Sequence, residues 1–128
     1  MEMTLQYGDQ GIEDAIMIRR KVFMEEQQVS EAEELDGRDD RSFHLTAYVD
    51  DKPVGCTRFY EKESGIFVVG RVAVLAEYRH RGIGQAMVRY VEKWAREPKN
   101  QDRFKINVLQ LDAQDPVIPF YQALGYDL

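Results

Sequence analysis

The sequence is poor in cysteine and has no long apolar run. Cys56 is the single cysteine among 128 residues, which excludes an internal disulfide framework and fits a reducing compartment, so we expect a cytoplasmic protein. No apolar stretch approaches the roughly 20 residues that a membrane-spanning helix needs. The amino-terminal MEMTLQYGDQ lacks the basic and apolar regions of a signal peptide. We therefore expect neither a membrane span nor a secretion signal.

Basic residues are also in deficit, since the formal net charge is −6. A nucleic-acid-binding protein usually carries a basic face, so we expect no nucleic-acid partner. Cationic small molecules and basic peptides suit this charge better. His44 and Cys56 stand too far from other ligand types to indicate a metal site, and we assign none. The 44% of apolar residues and the length predict one domain over residues 1–128.

Hydrophobic periodicity predicts the order strand, helix, three strands, helix, strand, helix. Strands are predicted at 4–8, 43–50, 53–61, 66–75 and 104–113, and helices at 11–26, 82–96 and 116–125. Pro98 is interpreted as the stop signal of the second helix. Adjacent antiparallel strands flanked by helices indicate an α+β fold. The crossover between strands 66–75 and 104–111 predicts that these two strands are parallel neighbours.

The segment YRHRGIGQAMV places charge and backbone freedom just before the second helix. Its first amide N–H groups have no partner within the helix, and the helix dipole adds partial positive charge there. Gly82 and Gly84 allow a ligand to approach the backbone closely, and Arg79 and Arg81 add full charges. This pattern predicts a phosphate site, most naturally for a pyrophosphate. The alternative is a glycine-containing loop whose arginines only face solvent.

Two common phosphate-binding motifs do not fit this segment. A P-loop needs Lys and then Ser or Thr after its last glycine, whereas Gln85 and Ala86 follow here. A dinucleotide fingerprint needs a third glycine where the chain has Met87, and it follows the first strand of a βαβ unit.

The segment RHRGIG, residues 79–84, resembles the Q/R-x-x-G-x-G/A signature of the GNAT family of N-acetyltransferases. Residues 70–88 resemble that family's fourth strand, pyrophosphate loop and third helix, and LDAQDPVIPFYQALGY resembles its fifth strand end and fourth helix. KVFMEEQQV and FHLTAYVDDKPVGCTRFY resemble small bacterial members of the family. The resemblance covers nearly the whole chain.

The resemblance implies a mixed, mostly antiparallel sheet in which a parallel strand pair diverges around the cofactor. It also implies that an acetyl group moves from acetyl-CoA to a primary amine of a small molecule or peptide, by direct attack in a ternary complex. The residues that it assigns to acetyl-CoA are Val72, Ala73 and Val74 for the pantetheine arm, Arg79, His80, Arg81, Gly82, Ile83 and Gly84 for the pyrophosphate, and Gln114 where the family usually has Asn. Tyr121 falls on the tyrosine that contacts CoA and commonly protonates the departing thiolate.

The general base is the least defined part of this prediction. Asp112, at the end of the fifth strand, is the candidate that we select. Other candidates are His44, His80, Glu25, Glu26 and Glu61, each of which is more typical of a surface group. The acidic segment SEAEELDGRDD is either a solvated loop or an attraction for a cationic acceptor.

Two further expectations concern the whole molecule. Since fold does not settle function, a non-catalytic acyl-CoA-binding sensor or interaction module remains the alternative to an enzyme. The family normally continues after its last helix with two further strands, whereas this sequence stops at GYDL. The fifth strand would then have an open apolar edge, which is either covered by a second copy or tolerated as an open edge in a shortened form. We expect a homodimer.

Overall fold

The computed structural model describes residues 1–111, which form a five-stranded sheet with helices on both faces. The strands are β1 (Glu2–Tyr7), β2 (Phe43–Val49), β3 (Lys52–Glu63), β4 (Ile66–Val74) and β5 (Val108–Leu111). The helices are α1 (Glu13–Arg19), which continues as a π-helical segment (Arg20–Glu26), α2 (Glu31–Glu34), α3 (Ile83–Arg96) and α4 (Pro98–Phe104). Short 3-10 turns occupy Asp39–Arg41 and Ala76–Tyr78.

The strands lie in the order β1-β2-β3-β4-β5. The first four strands pair antiparallel with their neighbours, and β4 pairs parallel with β5 from Ile66↔Val108 to Val69↔Leu111. This topology confirms the predicted α+β class, the hairpin of β2 and β3, and the parallel neighbours at the end of the sheet.

Each face of the sheet buries a different apolar cluster. Helices α3 and α4 cover one face, where Phe59, Phe67 and Trp94 lie in a group of interacting aromatic rings. Helix α1 covers the opposite face, where Ile18 and Ala73 belong to a smaller cluster. The alternation of side chains along a strand explains this division, because successive residues point to opposite faces.

The prediction of a strand that begins at residue 104 is wrong. Pro98 starts α4 at its first position after extended Glu97, so this proline opens a second helix as well as following the first. Phe104 remains helical because its ring packs against Phe67 and Trp94, with centroids 5.1 and 5.8 Å apart. Lys105 then ends the helix in a left-handed conformation, and β5 begins only at Val108.

The first predicted helix, over residues 11–26, is confirmed with a change of helical type. It begins at Glu13, and its last seven residues are π-helical. Arg19, which the periodicity places on the inward stripe, is buried with a side-chain exposure of 1%. The helix therefore carries a charged group into the space between itself and the sheet.

Candidate functional site

Strand β4 carries a β-bulge near its carboxyl end. Between the pairs Cys56↔Ala73 and Arg58↔Gly70, β3 contributes one residue and β4 contributes two. One of the two, Arg71, has a φ of 52°, which is uncommon for a residue with a side chain. A bulge bends its strand and increases the local twist. The end of β4 therefore runs in a different direction from the part of β4 that pairs with β5.

The backbone N–H and C=O groups at the end of β4 point alternately to the two edges of the strand. The amide of Leu75 donates to the carbonyl oxygen of Val54 at 2.9 Å, so Leu75 is bonded towards β3. Polar groups alternate along an antiparallel ladder, so those of Ala73 also face β3 and those of Val74 face the opposite edge. Val72 lies within the bulge. The three residues predicted to meet a pantetheine arm are thus not equivalent.

The chain then turns through a short loop into α3. The amide of Tyr78 donates to the carbonyl of Leu75 at 2.9 Å, which closes the 3-10 turn. His80 and Gly82 follow with left-handed φ values of 64° and 79°. Gly82 occupies the N-cap of α3, where a left-handed conformation suits glycine better than any other residue.

The amino terminus of α3 presents amide groups without an acceptor in the helix. The first α-helical bond runs from the amide of Ala86 to the carbonyl of Gly82 at 2.9 Å, so the amides of Ile83, Gly84 and Gln85 precede it. Among residues 1–111, no side chain caps this end and no atom lies within 4 Å of the position that a Cβ on Gly82 would take. These donors and the helix dipole suit an anion.

Two cations lie on the aromatic ring of Tyr78, in the segment that leads into α3. The guanidinium carbon of Arg81 is 5.0 Å from the ring centroid of Tyr78, and the Nζ atom of Lys52 is 5.3 Å from the same centroid. Within residues 1–111 neither cation forms an ion pair with a carboxylate. Sequence reasoning missed Lys52, because it is the first residue of β3 and only the fold brings it to Tyr78.

Arg79, the first residue of the signature, is committed to protein groups. Its Nη2 atom lies 2.9 and 2.8 Å from the two carboxylate oxygens of Glu26, and its Nε donates to the carbonyl of Val74 at 2.9 Å. The ion pair therefore connects the end of the π-helical segment to the loop before α3.

The structure gives the candidate bases different surroundings. Glu26 is paired with Arg79, and Glu25 and Glu61 are exposed. His44 is 2% exposed, where burial lowers the pKa of its imidazole and its Nε2 lies 2.9 Å from the carbonyl of Asp39. His80 is exposed in the loop. The predictions for Asp112, Gln114 and Tyr121 lie outside the described residues.

A network of three arginines and three carboxylates fastens residues 30–40 to the sheet. Arg19 of α1 contacts Glu34 and Asp39, the latter at 2.8 Å. Arg58 of β3 holds Asp36 through two bonds of 2.7 and 2.8 Å and reaches Asp39 at 3.1 Å. Arg71, at the bulge, donates to the backbone carbonyls of Glu33 and Glu34 at 3.0 and 3.4 Å.

The network changes the interpretation of the acidic segment. Half of its six carboxylates, those of Glu34, Asp36 and Asp39, are neutralised internally and cannot act as a solvated charge run. Burial alone would raise the pKa of Asp36, but the hydrogen bonds and charge of Arg58 outweigh it and lower this pKa to about 2. No sequence pattern indicated these arginine partners, which come from three different elements.

A separate groove of about 780 Å³ runs between α1 and residues 35–40. Ile16, Met17 and Leu35 supply apolar surface, while Asp9 and Glu13 carry negative charge. None of its lining residues belongs to β4 or to the loop before α3. This groove is therefore distinct from the amino terminus of α3.

The remaining chemistry-bearing groups within residues 1–111 form no further reactive centre. Cys56 is fully buried, and this burial raises the pKa of its thiol to about 12, so the thiol stays protonated. No group of three His, Cys, Asp or Glu side chains in this range could hold a metal ion. No helix in the same range is long and apolar enough to cross a membrane.

Comparison with known proteins agrees with this geometry. The model of the acetyltransferase (GNAT) family matches residues 12–126. The Bacillus subtilis (strain 168) protein named "Uncharacterized N-acetyltransferase YjcF" is 32% identical over 126 residues, covering 98% of this chain and 85% of that protein.

Solved structures share the fold at lower identity. An acyl-CoA N-acyltransferase from Pseudomonas aeruginosa is 22% identical with a TM-score of 0.76, over 97% of this chain and 86% of the other. An aminoglycoside antibiotic 6′-N-acetyltransferase from Acinetobacter haemolyticus is 21% identical with a TM-score of 0.70, over 100% of this chain and 92% of the other. With the bulged β4 and the open amino terminus of α3, these similarities lead to one conclusion: the chain belongs to the GNAT family of acetyltransferases.

Proposed function

We propose that this protein is an N-acetyltransferase that moves an acetyl group from acetyl-CoA to a primary amine of a small molecule or peptide. The observation that carries this proposal is the end of β4, where a bulge leads into a loop and an uncapped helix terminus. A linear donor molecule matches this arrangement, because its amide groups suit the strand edge and its pyrophosphate suits the helix terminus. We propose the cytoplasm as its location.

The backbone of β4 is suited to the pantetheine arm. The N–H of Val74 faces the edge of β4 away from β3, and the bulge at Arg71 and Val72 interrupts regular strand pairing. The amide groups of pantetheine would bond to this edge much as an added strand would. A backbone N–H between Val72 and Val74 would also stabilise the oxyanion of the tetrahedral intermediate.

The amino terminus of α3 is suited to the pyrophosphate. Backbone amides in the segment 79–84 would take up its oxygens, and Arg81 and Lys52 would add positive charge beside them. Gln114 supplies a further amide contact to CoA in this proposal, by its similarity to the family motif.

The reaction moves protons at both nitrogen and sulfur. A lysine-like amine has a pKa of about 10.4 and must lose one proton before its nitrogen attacks the thioester carbonyl. The attack gives a tetrahedral intermediate, from which the nitrogen loses a second proton as the C–S bond breaks and sulfur leaves with the electron pair and takes up a proton. We propose Tyr121 as the acid that protonates the thiolate, and Asp112 as the base.

Binding and turnover measurements test this function separately. Calorimetry should show that CoA binds far more tightly than pantetheine, which lacks the phosphates. Thiol release from acetyl-CoA, followed over polyamines, aminoglycosides, amino acids and peptides, should rise with at least one amine, and mass spectrometry should show the acetylated product. CoA binding without turnover on any amine would support the sensor or interaction module instead, and absence of CoA binding would reject both.

A further inference from the structure

Arg79 and Glu26 form a connection between two parts of the molecule that are 53 residues apart in the chain. Glu26 is the last residue of the π-helical segment, and Arg79 lies in the loop before α3. The Nε and Nη2 groups of Arg79 are occupied at once by the carbonyl of Val74 and the carboxylate of Glu26. One guanidinium thus holds the end of β4, the loop and the first helix together.

The charges around the loop favour keeping this ion pair when a phosphate arrives. If Arg79 turned towards the phosphates, Glu26 would be left with an uncompensated negative charge near a negatively charged ligand. Arg81 and Lys52 have no carboxylate partner within residues 1–111, so they can meet the ligand without such a cost. The geometry therefore assigns different tasks to the two arginines of the signature.

We propose that Arg79 and Glu26 act together as positioning residues for the pyrophosphate loop, and that Arg79 does not itself bind phosphate. The bond to Val74 fixes where the loop leaves β4, and the bond to Glu26 fixes the loop against the first helix. The amides at the start of α3 are then held in place before the ligand arrives. This inference rests on the proposed binding of CoA.

The test compares Glu26→Gln, Arg79→Ala and the double variant by calorimetry with CoA. Removing a negative charge near an anion site should by itself strengthen CoA binding. Positioning predicts the opposite for Glu26→Gln, a loss of roughly threefold to fivefold, as expected for a partly exposed ion pair. Arg79→Ala should lose at least as much, and the double variant should lose no more than Arg79→Ala.

Two matched variants separate positioning from simple charge effects. Glu77→Gln removes the same charge as Glu26→Gln, at an exposed residue near Arg79 in the chain, and should not weaken CoA binding. Arg81→Ala should make CoA binding less dependent on salt, because it removes a cation that meets the phosphates, while Arg79→Ala should leave that dependence unchanged. The side chains of Arg79 and Glu26 are 35% and 40% exposed, so we expect both variants to fold.

Amide hydrogen exchange supplies a readout that does not need CoA. In the free protein, residues 79–83 should exchange faster in both Glu26→Gln and Arg79→Ala than in Glu77→Gln. If Glu26→Gln binds CoA as tightly as the unchanged protein, or more tightly, while Arg79→Ala loses affinity, Arg79 binds phosphate and the inference is overturned. If the unchanged protein does not bind CoA, the proposed donor fails, and unchanged exchange in both variants would then overturn the positioning role as well.

Discussion

Gly82 and Gly84 show how single residues shape the start of α3. No atom of residues 1–111 lies near the position of a Cβ on Gly82, so its φ of 79° is the property that favours glycine here. Gly84 is the second residue of the helix, where its amide points out of the amino terminus. The two glycines therefore serve the same site for different physical reasons.

Replacing Gly84 with Val should weaken acetyl-CoA binding at least tenfold, which corresponds to about 1.4 kcal/mol. The branched side chain would prevent the close approach of the pyrophosphate to the helix backbone. Gly84→Ala is the graded control, since it adds one methyl group and favours the helix. Calorimetry that gives equal affinities for folded Gly84→Val and the unchanged protein would contradict a phosphate site here.

Replacing Tyr121 with Phe should lower turnover by about 10²–10⁴, the usual contribution of a positioned general acid. Phe retains the ring and removes only the hydroxyl group that would donate the proton, so the affinity for acetyl-CoA should change much less than the rate. The measurement is single-turnover transfer to the best acceptor together with calorimetry. A rate within about twofold of the unchanged protein, when chemistry limits turnover, would mean that Tyr121 serves packing alone.

Among the larger elements, the segment between the first helix and β2 depends on the arginine network. Glu34 is 1% exposed and contacts Arg19, which is equally buried. Arg71 connects the same segment to the bulge of β4 through backbone carbonyls. The network therefore connects α1, β3 and β4 to the segment that contains α2.

Replacing Glu34 with Gln should reduce the free energy of unfolding by about 3 kcal/mol, because it leaves buried positive charge without its partner. Glu31→Gln makes the same change in the same helix, where the carboxylate is 62% exposed and 3.7 Å from an exposed Arg20. That control should change stability by less than about 1 kcal/mol. Urea unfolding of the two variants decides the matter, and equal stabilities would show that the buried pairs contribute nothing net.

Acid should weaken the same network. The pKa of Asp36 is lowered in the folded state from 3.8 to about 2, and that of Asp39 is also lowered. Their contribution to stability is therefore present above about pH 3.8 and is lost as the pH falls towards 2. Burial lowers the pKa of His44, so stability should already begin to fall below about pH 6.5.

The check is urea unfolding across this pH range. Asp36→Asn removes one titrating group and should lose less stability than the unchanged protein between pH 5 and pH 3. Parallel curves for the two proteins would mean that the ion pair with Arg58 does not form in solution.

Across the whole molecule, the sheet separates an aromatic face from a face that contains both apolar and charged contacts. Helices α3 and α4 pack on the aromatic side, and α1 packs on the other. The proposed site lies at the end of β4, where groups from several elements meet. The homodimer expected from the sequence remains a prediction, which sedimentation over a range of concentrations can test.

Binding of CoA should stabilise the folded molecule as a whole. At a CoA concentration 100 times the dissociation constant, the gain is about 2.7 kcal/mol, which corresponds to a rise in Tm on the order of 10 °C for a chain of this size. Pantetheine at the same concentration should have a much smaller effect, because it does not engage the start of α3. Equal shifts with the two ligands would place the binding energy elsewhere than at the phosphates.

The sequence by itself determined the class of the fold and the position of the glycine-containing loop before α3, where we propose the anion site. Strand and helix periods are local properties, so α3 begins within one residue of its predicted start and the parallel pair of β4 and β5 is confirmed. The signature of residues 79–84 is likewise a continuous run in the chain, so it can be identified without the fold. Local preference was insufficient at Phe104, where an aromatic contact keeps the residue in α4.

Only the tertiary structure decided which charges of residues 1–111 are paired with one another. The sequence offered Arg79 and Arg81 as equivalent cations, whereas the fold commits Arg79 to Glu26 and leaves Arg81 on Tyr78. It also brings Lys52 to the same ring, and it gives half of the carboxylates in the acidic segment internal arginine partners. Electrostatic pairing depends on distances in space between residues far apart in the chain, and no local pattern specifies those distances.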